Sequence, residues 1–167
     1  MMDTGKICME ARGLRESLAN PKVTHRIGCW NVRTMYSIGK TAQVTSEMQR
    51  YRISILGISE CRWSGFGRLR TQTGETILYS GRDDDVHQSE VAIVMTRYAS
   101  RCLESWIPVS DRIITARFHS KYIKTTIVQV YAPTNGAEDE AKETFYDQLQ
   151  KVLDAAPRHD MLLVMGD

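Results

Sequence analysis

Apolar positions along the chain predict two amphipathic helices. In residues 41–52, Val44, Met48 and Tyr51 recur at helical spacing, with polar residues on the opposite face. A second segment of the same kind covers about residues 138–154 and ends shortly before Pro157. Each helix is therefore expected to bury one face against another layer of structure.

The remaining apolar residues fall into short runs separated by polar turns. Seven segments are predicted as strands: 26–32, 53–58, 76–79, 91–96, 112–118, 122–130 and 161–165. Segment 53–58, ISILGI, is almost continuously apolar, which is typical of a strand buried on both faces. A glycine- and arginine-rich loop is predicted between residues 61 and 74. This order predicts an α+β fold with helices on the outside of packed sheets.

Composition limits the class of protein without fixing its partner. The 167 residues are 42% hydrophobic and 25% charged, which is ordinary for one globular domain. A net charge of +2 leaves a nucleic-acid partner open and does not require one. Residues 1–25 lack a sustained period and are predicted to be a poorly ordered leader. Residues 26–167 are predicted to form the domain.

Cysteine spacing and hydropathy bear on the compartment. Cys8, Cys29, Cys61 and Cys102 include no CxxC pair, which argues against a zinc site and a disulfide framework. Free thiols are the expectation. No apolar run reaches the ~20 residues of a membrane span, and the first residues lack the apolar core of a secretory signal. We therefore expect a nuclear or cytoplasmic protein that is neither secreted nor embedded in a membrane.

Polar side chains follow four of the predicted strands. Asn31, Glu60 and Asp167 each stand at a strand end, and Tyr131 follows the long strand that ends at Val130. Such a residue alone is more commonly a turn former than a ligand. Together, two carboxylates and an amide are ligands suited to Mg²⁺, with Mn²⁺ as an alternative. A carboxylate beside such a metal can activate water, and a tyrosine hydroxyl can donate to a phosphate oxygen.

The segment after Glu60 is a candidate nucleic-acid contact. It contains Arg62, Trp63, Arg68 and Arg70, and no acidic residue lies between them. Arginines neutralise phosphates, and exposed aromatic rings stack on bases. The alternative is a solvated loop whose Trp63 packs back onto the sheets.

Four short motifs resemble the endonuclease/exonuclease/phosphatase superfamily. They are Trp30-Asn31-Val32, Ile58-Ser59-Glu60, Val130-Tyr131-Ala132-Pro133-Thr134 and Met165-Gly166-Asp167. Three stretches are most similar to the endonuclease domain of RTE-type non-LTR retrotransposons. They are Glu60-Cys61-Arg62-Trp63, Ser110-Asp111-Arg112-Ile113 and Tyr131-Ala132-Pro133-Thr134. The resemblance covers about residues 26–167.

The resemblance implies both a fold and a chemistry. The fold is a four-layer α/β-sandwich, and the chemistry is metal-dependent cleavage of a phosphodiester, which in these elements means nicking of DNA. Carried onto this sequence, Glu60 is the metal ligand and Asn31 lies beside the metal and the phosphate. Tyr131 contacts the scissile phosphate, and Asp167 contacts the metal and orients or deprotonates the attacking water.

The resemblance also implies further residues after the Gly-Asp step: an asparagine and a distal Asp-His pair. His25, His87, His119 and His159 all precede Asp167. We therefore expect the sandwich to lack its C-terminal strands and the activity to be impaired. Two alternatives stay open: a non-catalytic remnant that binds nucleic acid or protein, and a phosphoesterase with another substrate such as a phosphoinositide. The oligomeric state is left open by the sequence.

Overall fold

The computed structural model describes residues 9–10, 17–18, 24–37, 39–82, 84 and 89–167. Its helices and strands are, in chain order, β1 Met9–Glu10, β2 Arg26–Asn31, α1 Lys40–Tyr51, β3 Ile53–Ser59, β4 Phe66–Arg70, β5 Thr76–Ser80, β6 Val91–Met95, α2 Arg97–Cys102, β7 Leu103–Ser110, β8 Ile113–Phe118, β9 Thr125–Val130, α3 Asp139–Ala155 and β10 Met161–Gly166.

Within the described residues, the strands form two five-stranded sheets. Sheet I has the order β2-β3-β6-β5-β4, and sheet II has the order β1-β7-β8-β9-β10. The pairs β2–β3 and β9–β10 are parallel, and the other pairs are antiparallel. Each parallel pair is connected through a helix, α1 in sheet I and α3 in sheet II.

In the part of the chain that the structure describes, three apolar clusters hold the layers together. The largest lies between the sheets and includes Ile55 and Ile93 of sheet I and Phe118 and Ile127 of sheet II. A second cluster lies between α1 and the outer face of sheet I. A third places Phe145 of α3 against the outer face of sheet II. The layers are therefore helix, sheet, sheet and helix, which confirms the predicted α+β four-layer sandwich.

The two helical crossovers determine where the polar strand ends meet. Because β2 and β3 are parallel, their carboxyl ends lie side by side at one end of sheet I. The carboxyl ends of β9 and β10 lie side by side in the same way in sheet II. The four ends meet on one rim of the sandwich, where the last residue of β2, Asn31, is hydrogen-bonded to Asp167, the residue after β10.

Some sequence predictions are wrong in detail. Residues 66–70 form β4, an edge strand paired with β5, although their glycine and arginines predicted a loop. Helix α2 and strand β7 were not predicted. Strand β7 contains Pro108 next to a register shift, which obscured its pattern. Tyr51 is exposed, whereas Val44 and Met48 are buried as expected.

Most of the predicted leader, residues 1–25, lies outside the described residues. Its described parts contact the sandwich: β1 pairs with β7, and Leu18 is buried with its N–H donating to the His119 carbonyl at 2.9 Å. Cys29, Cys61 and Cys102 are free thiols. Among the helices described, none is both long enough and apolar enough to cross a lipid bilayer.

Candidate active site

The four residues predicted at strand ends are brought together on one rim. Asn31 is the last residue of β2, Glu60 follows β3, Tyr131 follows β9 and Asp167 follows β10. We call these four residues the rim site. The first two belong to sheet I and the last two to sheet II, so the rim site joins the two sheets.

Asn31 is the bridge of the rim site. Its Nδ2 donates to Glu60 Oε1 and to Asp167 Oδ2, both at 2.9 Å. Its Oδ1 accepts the backbone N–H of Arg33 at 3.1 Å, which fixes the orientation of the amide. Asn31 therefore presents N–H donors, rather than its oxygen, to the two carboxylates.

Glu60 leaves its strand with an unusual backbone. Its φ is 59°, in the left-handed region that non-glycine residues rarely adopt. The following residue, Cys61, is buried and donates its N–H to the Glu90 carbonyl at 3.0 Å. This bond holds the chain after the turn and directs the Glu60 carboxylate toward the rim. Strained backbone of this kind is concentrated at functional sites.

Tyr131 is held in place by Arg112, which lies between β7 and β8, and by Glu60. Its hydroxyl donates to Glu60 Oε1 at 2.8 Å. On the other side, the Arg112 guanidinium lies 5.3 Å from the centre of the Tyr131 ring and donates to the Tyr131 carbonyl at 3.2 Å. Partial burial, and then the bond to Glu60, raise the pKa of the Tyr131 hydroxyl above its ordinary value. The Tyr131 hydroxyl is therefore protonated at neutral pH and acts as a hydrogen-bond donor.

Asp167 is positioned by the backbone of its neighbouring strand. Its carbonyl accepts the Ala132 N–H at 3.0 Å, and its own N–H donates to the Val130 carbonyl at 3.4 Å. The preceding residue must be small, because a Cβ on Gly166 would lie 2.0 Å from the Val130 carbonyl oxygen. The Gly-Asp step thus lets β10 approach β9 closely enough to bring the Asp167 carboxylate to Asn31.

The donor set fits a hard divalent cation with an open coordination sphere. Two carboxylates reach hydrogen-bond distance of one nitrogen, and like charges this close repel unless a cation or proton lies near them. Among the described residues, no group of three or more His, Cys, Asp and Glu side chains could hold a metal. Mg²⁺ is compatible with that, because it is typically bound by one or two carboxylates, with water and phosphate oxygens completing its shell.

The predicted nucleic-acid residues are divided between two places. Arg62 is exposed directly after the rim site, whereas Arg68 and Arg70 lie on the exposed face of β4. In sheet I, β4 is three strand spacings from β3, so about 14 Å of sheet separates these two arginines from the strand that Glu60 follows. Trp63 packs edge-on against Tyr79, with ring centres 5.2 Å apart, as the packing alternative predicted.

Two residues that contact this region were given no site role by the sequence prediction, although Arg112 belongs to the Ser110-Asp111-Arg112-Ile113 stretch of the resemblance. Arg112 donates a hydrogen bond to the Tyr131 carbonyl. Gln129 is a fully buried amide in β9, two residues before Tyr131. A signal for Gln129 was present: it is the polar interruption in the otherwise apolar end of β9. The signal for Arg112 was weaker, because an arginine after a turn is most often solvated.

Comparison with known sequences gives extended similarity to one protein. The chain is 36% identical to craniofacial development protein 2 of Bos taurus over 163 residues, which are 98% of this chain and 27% of that protein. Its identity to craniofacial development protein 2 of Tragulus javanicus is 35%, over 98% of this chain and 28% of that protein. The chain thus spans about a quarter of the length of these relatives. No protein-family model matches the chain.

Comparison with solved structures identifies the fold. The endonuclease domain of TRAS1, a telomere-specific non-LTR retrotransposon, aligns with a TM-score of 0.57 and 16% identity, over 86% of this chain and 59% of that one. D. rerio TDP2 complexed with single-strand DNA product aligns with a TM-score of 0.53 and 8% identity, over 83% and 58%. An endonuclease/exonuclease/phosphatase family protein from Leptotrichia buccalis gives 0.50 and 11%, over 86% and 66%.

Proposed function

Because the chain is homologous to craniofacial development protein 2 and has the endonuclease/exonuclease/phosphatase fold, we propose that its rim site binds a divalent metal and cleaves a phosphodiester of DNA. The observation behind this proposal is the single Asn31 amide that donates to carboxylates from both sheets, at 2.9 Å each. Two acidic groups drawn together without a basic partner form a site for a cation.

Each residue of the rim site has a distinct proposed role. Glu60 and Asp167 would hold Mg²⁺ or Mn²⁺, which when bound polarises a phosphoryl oxygen and lowers the barrier to attack. Asp167 is the more exposed carboxylate, and we assign to it the orientation and deprotonation of the attacking water. Asn31 and Tyr131 donate hydrogen bonds to the phosphate in place of the bonds that they now make to carboxylates.

DNA is the proposed substrate for two reasons. One structural neighbour is a retrotransposon endonuclease domain and another is bound to single-strand DNA product, and these facts belong to those proteins. In this chain, the exposed Arg62 next to Glu60 provides a positive charge for a phosphate that flanks the cleaved bond. A retrotransposon origin of the chain belongs to the same proposal.

The decisive experiment is a nicking assay on supercoiled plasmid with Mg²⁺, with Mn²⁺ and with EDTA. We expect nicking that requires the metal and falls by at least ~10²-fold in Glu60→Gln. Asp139→Asn is the matched control, because its side chain is 94% exposed on α3 and its ion pair is with Lys142 of the same helix. Nicking that persists in EDTA or in Glu60→Gln would refute the proposed chemistry.

The two alternatives predict other outcomes of the same design. A non-catalytic binding remnant would retain DNA in a gel-shift assay and leave the plasmid intact. A phosphoesterase with another substrate would release phosphate from an inositol phosphate and leave DNA intact. Glu60→Gln would abolish phosphate release in the second case and leave binding largely intact in the first.

A further inference from the structure

Gln129 is a fully buried amide in the space between the two sheets. It lies in β9 beside Val128 and Val130, and its side chain is directed inward, on the same face as Ile127. Burying an amide among apolar side chains is costly unless its polar atoms are hydrogen-bonded. A methionine of similar length would fill the same volume, so the amide needs a reason beyond packing.

The hydrogen bonds of Gln129 connect three strands. Its Nε2 donates to Ser59 Oγ of β3 at 3.2 Å and to the Val130 carbonyl at 3.3 Å. Its Oε1 accepts from the Cys29 thiol of β2, at 3.9 Å. Sheet II is thereby tied to both strands of sheet I that end at the rim site.

Gly57 makes room for this contact. A Cβ on Gly57 would lie 1.9 Å from Gln129 Oε1 and 2.7 Å from Met165 Cε. Gln129 and Met165 are register partners in β9 and β10, and both side chains pack against sheet I at Gly57. The two sheets therefore approach each other closely at this point.

This contact lies directly beneath the rim site. Ser59 immediately precedes Glu60, and Gln129 lies two residues before Tyr131. Cys29 and Met165 have the same two-residue offset from Asn31 and Asp167, and alternate residues of a strand share a face. A change in the spacing of the sheets here would move all four rim residues relative to one another.

We propose that Gln129 is a positioning residue, which fixes the separation of the two sheets so that the Glu60–Tyr131 and Asn31–Asp167 hydrogen bonds form. Its consequence for catalysis rests on the function proposed above, whereas its consequence for geometry does not. The test therefore needs one measurement of geometry and one of activity.

The geometric measurement is the NMR signal of the Asn31 side-chain amide, whose protons bond to Glu60 and Asp167. Gln129→Met retains side-chain length and removes the hydrogen bonds, and Ser59→Ala removes one partner only. We expect both variants to shift this signal and to accelerate its hydrogen exchange by ~10-fold, because losing a buried hydrogen bond makes local opening easier. Ile127→Val is the matched control, because Ile127 is fully buried in the same interface one inward position further from the rim.

The activity measurement is the rate of plasmid nicking at saturating and limiting DNA. We expect Gln129→Met to lower kcat by ~10–100-fold and to leave KM for DNA unchanged, since the residue does not contact DNA. Ile127→Val should change neither value. If Gln129→Met does not fold, Ser59→Ala decides the result.

An unchanged Asn31 signal in the folded variants would overturn the inference, as would an equal change in Ile127→Val. If the wild-type protein does not cleave DNA but Asn31 still responds to Gln129→Met, the proposed function fails and the positioning role stands. If the wild-type protein nicks DNA and Asn31 does not respond, the positioning role fails alone.

Discussion

Two charged clusters, one on sheet II and one on the rim where the two sheets meet, differ in their charge balance. We call the first the Asp160 cluster: Asp160, Arg117, Glu104 and Lys124. Arg117 donates to both Asp160 oxygens at 2.7 and 2.9 Å, and Lys124 donates to Glu104 at 2.8 Å. Two acids therefore face two bases. The second cluster is the rim site, where Glu60 and Asp167 form no ion pair within the described residues.

The difference indicates what each cluster does. The Asp160 carboxylate is 3% exposed and also accepts from the Thr126 hydroxyl at 2.7 Å, so its hydrogen bonds are satisfied within the protein. We therefore interpret this cluster as one that stabilises the fold. Among the described residues, the rim carboxylates accept side-chain hydrogen bonds from Asn31 and Tyr131, and we propose that a cation binds them. Charge balance therefore distinguishes these two clusters better than the number of acidic residues does.

The largest expected effect separates the clusters by activity. Asp167→Asn should reduce metal-dependent nicking by ~10²–10³-fold, because it removes a carboxylate that acts on the attacking water. Asp160→Asn should leave the rate per folded molecule unchanged. Initial rates of plasmid nicking, corrected for the folded fraction from circular dichroism, measure both. Equal losses in the two variants would remove the distinction between the clusters.

The sequence predicted the rim site better than it predicted the Asp160 cluster. Asn31, Glu60, Tyr131 and Asp167 each end an apolar run, so strand periodicity alone placed them at strand ends. The parallel pairing of β2 with β3 and of β9 with β10 then brought them to one rim. Arg117 and Asp160 gave no such signal, because an ion pair between residues 43 positions apart depends on the fold.

Edge strands were the weakest part of the prediction from sequence. Strand β4 has the composition of a loop, since it contains Gly67, Arg68 and Arg70. It becomes a strand because β5 offers a free edge for pairing, which local propensity does not reveal. Gln129 was missed for a related reason: its role depends on Gly57 and Ser59 in the opposite sheet.

The next effect is the stabilisation of the folded protein by metal. A cation that binds only the folded state adds about 2.7 kcal/mol to the free energy of unfolding at a concentration of 100 times Kd. We expect Mn²⁺ to raise the Tm of the wild-type protein and of Asp160→Asn. It should not raise the Tm of Glu60→Gln. Thermal unfolding followed by fluorescence provides the measurement, and an equal shift in all three proteins would place the cation outside the rim site.

A smaller effect concerns stability without metal, where mutation of the Asp160 cluster, and not of the rim site, should destabilise the protein. Asp160→Asn should lower the free energy of unfolding by about 2 kcal/mol, because the Arg117 guanidinium loses a charged partner in a nearly buried position. Glu60→Gln should leave stability unchanged or raise it, since it removes one of two repelling carboxylates. Urea unfolding of both variants tests the contrast. A clear loss of stability in Glu60→Gln would mean that the rim carboxylates stabilise the fold.

The smallest effect is a change in stability at acid pH, and it belongs to the Asp160 cluster. The Arg117 guanidinium holds the pKa of Asp160 below its ordinary value; partial burial opposes this shift, and the Thr126 hydroxyl adds to it. A carboxyl group with a lowered pKa stabilises the folded state above its unfolded pKa of about 3.9 and loses that contribution as the pH falls through the folded value. The contribution of Asp160 to wild-type stability should therefore change little between pH 7 and pH 5, and it should fall more steeply below about pH 4.

Asp160→Asn should show a shallower loss of stability below pH 4, and Asp139→Asn, whose side chain is 94% exposed, should follow the wild-type curve. Parallel acid curves for wild type and Asp160→Asn in urea unfolding would show that the Arg117 pair does not stabilise the folded state.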